Sequence, residues 1–573
     1  MTVRHVPSEY STIQSAVNAS VAYDIILIHT GFYNESITIP SGLNSLKILR
    51  KGQVTLDGQS TLGSAFTVQA NNVEIRKLRM INYTNIAVVA LSPASGLRLI
   101  QNVFVSCKQV VQVSGLLSFI YKNKCNTGSV GFQISGKDHY IIQNQLQSYT
   151  STALDASTFG NHFIANCILD CESGMQEIQG QNLIFANRFI RCVDGIICAS
   201  LTGGSFIANN TFDGGNTLLR LLSPNNLVLE NIFKNSTGVG GAAVQVIPSF
   251  DPSDHQTIER NVFETNQVAL DLRSNNNFIY ANTFKQNTID YAILTPAPTG
   301  NVYLLNVPQP LFPTNENLIL SVPSVLYPTI ESAVLAAQPW STIVINPGKY
   351  DESAVPFTIP IGKDGLRLLS ASCQHRPCIT QSSGVVSIAA SFVQLERLTF
   401  KNVQTVTTTS VFPRFLYNTF KDSPTQGLVS SNSFSFCAWH NHIEHNMNQG
   451  LQIDSMNNWV IGNHIKCNGG DGILISNAND FGNALIQNSL TDNNGNGIED
   501  NAGANLSWKN KSSKNKQHGV WEASQGQGQA LIVDNCIRKN DGWGILLQTF
   551  NNYLKGNEVS NNLTGGITYQ PTS

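Results

Sequence analysis

The chain has 573 residues, 41% of them apolar and 13% charged, with a formal net charge of −2. That composition fits an ordered protein with ample core, and it lacks the concentrated Lys and Arg that nucleic-acid binding requires. There is no run of about 20 apolar residues, so no membrane-spanning helix is expected.

In chain order, Met1–Pro7 lacks the apolar core of a signal peptide. An extracellular, cell-surface or spore-surface site, or a phage particle, then implies either a leader removed beforehand or delivery by assembly or release. Tyr10-Ser-Thr-Ile-Gln-Ser-Ala-Val17 reads as a short amphipathic helix with a hydroxyl residue at its start. It precedes the apolar strand Ile25–Ile28. The segment reappears as Tyr327-Pro-Thr-Ile-Glu-Ser-Ala-Val334 before Ile343–Ile345, and Gly31-Phe-Tyr-Asn-Glu35 reappears as Gly348-Lys-Tyr-Asp-Glu352, both offset by 317 residues. A whole module is duplicated. Domains are expected at residues 1–322 and 323–573, divided after the Pro-rich stretch Val307–Pro313. The helix is expected to cover the apolar open end of each.

Within the first half, Asn102, Asn123, Asn144, Asn166, Asn187, Asn210, Asn231, Asn261 and Asn282 recur at steps of 21 to 23, with one step of 30. The long step holds an insertion around Ser249–His255. Phe104, Phe189, Phe212, Phe233, Phe263 and Phe284 each follow a marker Asn by two residues and are expected to stack as an internal ladder. Cys171 and Cys192 share a slot on neighbouring coils and read as small buried hydrophobes. Asp271 and Arg273 alternate on one strand beside the insertion's Asp251, Asp254 and His255. Cys373 and Cys378 flank Gln-His-Arg-Pro, where a small loop disulfide and two free thiols are both open.

The last 135 residues write Asn-x-x-x-x-Asn-x-x-x-Gly-aliphatic six times, starting at Asn441, Asn463, Asn488, Asn510, Asn535 and Asn557. A fixed period of this size means a solenoid. The apolar alternation in Gly472-Ile-Leu-Ile is that of strands. Each coil's Asn can bond its counterpart about 4.8 Å away on the next. Asn also tolerates left-handed corners, and the Gly suits a turn at positive φ. The expected fold is all-β: two tandem right-handed parallel β-helix solenoids, each opened by a short helix.

Counting from the repeated Gly, the third residue should face inward: Ile453, Ile475, Asp500, Glu522, Leu547, Tyr569. Two carboxylates on adjacent coils thus stand near the roughly 5 Å spacing of a retaining glycosidase pair. Asp500 and Glu522 are the candidate catalytic residues. Asp471, Glu499, His518, Trp521 and Trp543 on neighbouring positions are the candidate substrate-binding groups, since aromatic faces beside carboxylates suit a sugar. Should the strand end early, both acids would instead point into solvent. His440, His442, Glu444, His445 and His464 fit either a metal site or stacked exposed histidines, with residues 440, 442 and 444 expected on one strand face. No cofactor or metal is expected.

The Thr-Ile-Gln-Ser-Ala-Val…Ile-Leu-Ile…Gly-x-Tyr-x-Glu opening followed by Asn-rich coils resembles right-handed parallel β-helix proteins of the pectin-lyase-like superfamily, nearest to the copper-maturation (NosD-type) repeat. The resemblance covers nearly all the chain. It implies the fold, and it spans lyases, hydrolases, esterases, epimerases, tailspikes and inert surface proteins. The Gln-Asp-Thr-Leu and Asp-Phe-Ile-Phe-Gly segments of pectin methylesterases have no counterpart here, nor does the polygalacturonase set. Pectate-type lyases use Asp-bound calcium and a basic Arg, which makes Asp271/Arg273 the lyase-like grouping. Two readings follow: a non-catalytic surface or structural protein that binds polysaccharide or a second copy through its last coil, or a polysaccharide hydrolase or lyase.

Overall fold

A computed structural model describes every residue except 201, 239, 249–253, 294–297, 311, 354–357, 383, 405, 524–527 and 571–573. Asp251 and most of the insertion therefore lie outside the described residues. The chain divides into two compact units, Met1–Asn315 and Glu316–Ser573. Each is a parallel β-solenoid in which a strand pairs with its counterpart one coil earlier and one coil later. In the second unit the strands form three sheets of 11, 10 and 10. In the first, long strands such as Lys124–Ile134 run through a corner and pair on two faces, which joins all 34 strands into one network.

The two short α-helices are Ile13–Asn18 and Ile330–Ala336. Thr12 accepts from the Ser15 N–H and Thr329 from that of Ser332, each completing a capping box. The duplicated Gly-x-Tyr-x-Glu motif explains itself here. Both Glu35 carboxylate oxygens accept helix N–H groups, from Ile13 at 2.9 Å and Gln14 at 3.0 Å, and Glu352 accepts from Ile330 at 3.2 Å. The Tyr33 hydroxyl donates to the His29 carbonyl and that of Tyr350 to Asn346. In both units the ring lies over the motif's Gly: a Cβ would stand 3.4 Å from the Tyr350 ring at Gly348, an ordinary contact, and a tighter 3.2 Å from the Tyr33 ring at Gly31.

The asparagines line up coil upon coil. In the first unit each Asn backbone N–H donates to the Oδ1 of the next, from Asn102 through Asn123, Asn144, Asn166, Asn187, Asn210, Asn231, Asn261 and Asn282 to Asn306, at 2.8 to 3.0 Å. The amide Nδ2 also donates back to a carbonyl on the previous coil, as Asn187 does to Phe163. The second unit repeats this along Asn418, Asn441, Asn463, Asn488, Asn510, Asn535 and Asn557. A second ladder there runs from Asn446 to Asn562. A parallel coil that turns sharply leaves backbone groups without strand partners, and these buried amides satisfy them.

Two expectations about the repeat need correction. The left-handed residue at each corner is the one before the ladder Asn: His440, Gln487, Lys509 and Asp534 have φ near 51 to 55°, while the asparagines do not. Nor are the repeated glycines Gly450, Gly472, Gly497, Gly519 and Gly544 at positive φ. Their role is steric. A Cβ on Gly472 would stand 2.7 Å from the Gly497 carbonyl oxygen and 3.0 Å from the Asn493 amide nitrogen. Only a residue without a side chain leaves room for the second ladder.

The core is a column inside each solenoid. Phe189, Phe212, Phe233, Phe263 and Phe284 stack with centroids 4.8 to 5.2 Å apart. Phe104 is buried in the same row but separated from them by Cys125, Leu146 and Ile168. Cys171 and Cys192 are buried, and Cys373 and Cys378 are free thiols. In the second unit one sheet is buried on both faces from Cys437–Trp439 to Leu531–Val533. The other two sheets keep their outer faces open.

Candidate functional site

Strands Ile498–Asp500 and Val520–Glu522 lie in register, Asp500 opposite Glu522 and Glu499 opposite Trp521. Strand alternation then sends the two pairs to opposite faces. Asp500 and Glu522 point inward, 3% and 2% exposed, between Ile475 and Leu547 of the flanking coils. They do not point into solvent, and inside the solenoid they lie where no polysaccharide chain reaches. As a glycosidase pair they are misplaced.

Their chemistry is that of the interior. Asp500 accepts from the Ala502 and Gly503 N–H groups, at 2.9 and 3.1 Å, and takes the Asn505 amide on both oxygens at 3.0 and 2.9 Å. Burial pushes its carboxyl up despite these bonds. Glu522 is pushed up further, by burial and then by the Asp500 charge, and its Oε2 is buried without a hydrogen-bond partner. The first unit holds a counterpart that sequence reasoning missed. Glu177 occupies the same third position after Gly174, is fully buried, and accepts from the Asn182 amide at 2.7 Å, five residues on as Asn505 is from Asp500. The legible signal was an acid followed five residues later by Asn.

The outward set comes together as a network. Asp471 Oδ1 accepts from the Asn496 backbone at 2.6 Å and from its amide at 3.0 Å, and the same amide donates to Glu499 Oε2 at 3.0 Å. One nitrogen therefore bridges two carboxylates, and Asn496 is a member the sequence did not single out. The His518 N–H donates to Asn496 Oδ1, and His518 Nδ1 accepts from the Trp543 N–H, both at 2.9 Å. Trp521 is half-buried, meets the His518 ring edge-on at 6.1 Å, and anchors its Nε1–H on Gln548. The Trp543 ring lies against Gly565 of the last coil. Burial raises the carboxyls of Asp471 and Glu499, Glu499 also through the Asp471 charge, and lowers the His518 imidazole.

The remaining candidates resolve differently. Asp271 is buried and held by Arg273, whose guanidinium approaches to 2.6 Å, and by the Gln245 amide at 3.0 Å. The pairing holds Arg273 above its ordinary range, which is the wrong direction for a general base. Asp254 is occupied by the Asn275 N–H. In the histidine cluster, His440 is not on the strand face with His442 and Glu444: it sits at the left-handed corner and stacks on Tyr417. His442 and His464 meet edge-on at 5.5 Å, and Glu444 pairs with Lys466 at 3.1 Å. Among the described residues no group of three or more His, Cys, Asp or Glu is placed to hold a metal ion.

A family model described as the right handed beta helix region matches residues 439–573. The fold is a right-handed parallel β-helix. Solved structures similar to this chain include a PL6 family alginate lyase, AlyGC, at 12% identity over 100% of this chain and 99% of that one, with a TM-score of 0.32. The catalytic domain of a GH87 alpha-1,3-glucanase is 10% identical over 53% of this β-helix chain and 69% of its own, TM-score 0.40. The rice weevil pectin methyl esterase is 15% identical over 39% and 87%, TM-score 0.28. Among curated protein sequences none matches the chain. Identities this low bear on the fold alone.

Proposed function

We propose that this β-helix protein binds a polysaccharide on the outer face of its second unit, at Trp521 with Glu499, Asp471, Asn496 and His518, without cleaving it. The observation that carries this reading is the division made by strand alternation: the aromatic ring and its polar neighbours face out, while Asp500 and Glu522 are enclosed. An indole beside hydrogen-bonding carboxylates offers a sugar both an apolar face and acceptors for its hydroxyls. In the same reading the two units are tandem solenoids, each opened by its short helix, and the protein works at an extracellular or particle surface.

A second reading has one observation of its own. Asp471 and Glu499 share the Asn496 amide and are both held above the usual carboxylate range, so one can stay protonated beside the other, as a hydrolase's acid and base do. A glycan array followed by product analysis separates the two. Binding that Trp521→Ala abolishes, with no shortened products, supports the first. Products that vanish in Glu499→Gln but persist in Glu522→Gln support the second. No glycan bound by the wild type sinks both.

A further inference from the structure

We propose that two Lys-Asn-Lys corners, Lys122-Asn123-Lys124 in the first unit and Lys509-Asn510-Lys511 in the second, are binding notches that each take one carboxylate or sulfate group of an acidic glycan. Along the ladders that start at Asn102 and Asn418 no other asparagine has lysine on both sides; Asn515 of the second ladder does, but Ser513 rather than an aromatic residue precedes its first lysine and Lys516 pairs with Asp541. Each corner lines an open cavity, of about 410 Å3 in the first unit and about 560 Å3 in the second.

The local construction is the same in both. The lysine before the ladder Asn is the left-handed corner residue, with φ of 54° at Lys122 and 55° at Lys509. Its ammonium is held over the aromatic ring that precedes it, 4.7 Å from the Tyr121 centroid and 4.5 Å from that of Trp508. A buried ring fixes the first cation through its quadrupole, and the exposed lysine after the Asn supplies the second. Lys124, Lys509 and Lys511 make no ion pair among the described residues. One ring-held ammonium and a second, exposed lysine flanking the same concavity favour a single oxyanion bound by charge-assisted hydrogen bonds.

The neighbouring coils argue for a sugar acid over a bare ion. Gln143 of the next coil lines the first notch, and its buried Oε1 has no hydrogen-bond partner. An orphaned acceptor wants a donor, which a sugar hydroxyl provides and an inorganic anion does not. In the second notch Asp534 stands on the next coil, so an anion is opposed there and the first notch binds more tightly. This inference is separate from the Trp521 face and does not require it.

The test is calorimetric titration of the full chain with a galacturonate hexamer, a chondroitin sulfate hexasaccharide, neutral maltohexaose and a short DNA duplex. At least one acidic hexasaccharide is expected to bind tenfold or more tighter than maltohexaose and the duplex. K122Q/K124Q should weaken that binding about tenfold, K509Q/K511Q by less, and K122R/K124R should restore most of it. The control K401Q/K421Q, on the same sheet as Lys511, should stay within twofold of wild type. Binding no stronger to either acidic glycan than to maltohexaose, equal binding of DNA, or equal loss in the control would overturn the assignment. A K122Q/K124Q protein that melts earlier is judged by its acidic-glycan binding relative to K122R/K124R at a temperature where both are folded, and equal binding by the two overturns the assignment.

Discussion

Asn463 shows what one ladder residue does. Its Oδ1 accepts the Asn441 backbone N–H at 2.8 Å and the Asn441 amide at 3.0 Å, and its own amide donates to Ala438 and Asn488. Asn463→Ala removes these four bonds and the amide's further one to the Ile461 carbonyl, leaving buried donors and acceptors unpaired, so a loss of about 2–4 kcal/mol is expected, read from denaturant midpoints. The identity of this residue was legible from its period. The left-handed residue beside it was not, because His440, Gln487, Lys509 and Asp534 share no chemistry: the ladder bonds impose the conformation, not a local preference. His139 shows the same point differently. It takes a slot in a further stack of the first unit, Ser118, His139, Asn161 and Asn182, its Nδ1 accepting the Ser118 N–H at 3.0 Å while its own backbone N–H donates to the Asn161 Oδ1. Burial pushes its pKa down to about 4. Its neutral form is thus fully retained above about pH 6.5 and its contribution falls as pH drops toward 4. His139→Asn, which keeps an acceptor in the slot, should flatten that acid limb in a melting-temperature profile. Glu522 works on the opposite side. Its folded carboxyl is raised, so the cost of ionising it is absent below about pH 4 and grows as pH rises through the folded value. Glu522→Gln is expected to gain stability at pH 8 relative to wild type and little at pH 4. An equal gain at both would mean Glu522 is not held protonated.

At the scale of one coil, the reading of faces succeeded where a strand was long enough to alternate and failed at its ends. Ile498–Asp500 sends Glu499 out and Asp500 in as the count from Gly497 required. What the count could not supply was the partner: Asn505 lies in the following corner, and an acid clamped there has the same sequence alternation as an acid waiting for substrate. Burial and satisfaction decide between them, and neither is a property of spacing. The short helices Ile13–Asn18 and Ile330–Ala336 are each followed by the recurring Glu, and the structure gives that recurrence its reason. Glu35 accepts two of the N–H groups that a helix start leaves unpaired. Glu35→Ala should cost about 1–2 kcal/mol, and Glu35→Gln should recover only part, since an amide offers one acceptor oxygen and no charge. Equal stability of all three proteins in guanidinium would show that the helix is held by Ile13, Ala16 and Val17 alone.

A solenoid unit has no contacts between distant coils, so its stability is close to a sum over neighbours. That distinguishes it from a globular domain, where one core substitution loosens everything. Gly472→Ala is a defect that can be placed on a single coil: the new Cβ would meet the Gly497 carbonyl, the Leu490 side chain at 2.8 Å and the Asn493 amide. Overpacking of this kind costs about 1–3 kcal/mol. In the second unit the loss should be local. Amide hydrogen exchange should rise most on strands Leu451–Met456, Ile473–Ile475 and Ile498–Asp500 and fade coil by coil toward Thr342–Ile345. The fading has a physical cause, because each coil's ladder bonds and stacked aliphatics reach one coil in either direction and no further. If exchange instead rose evenly from Thr342 to Tyr553, the unit would be opening as one cooperative body. The continuous amide ladder, which polarises its members along the whole stack, would then be the element that binds the coils into a single folding unit.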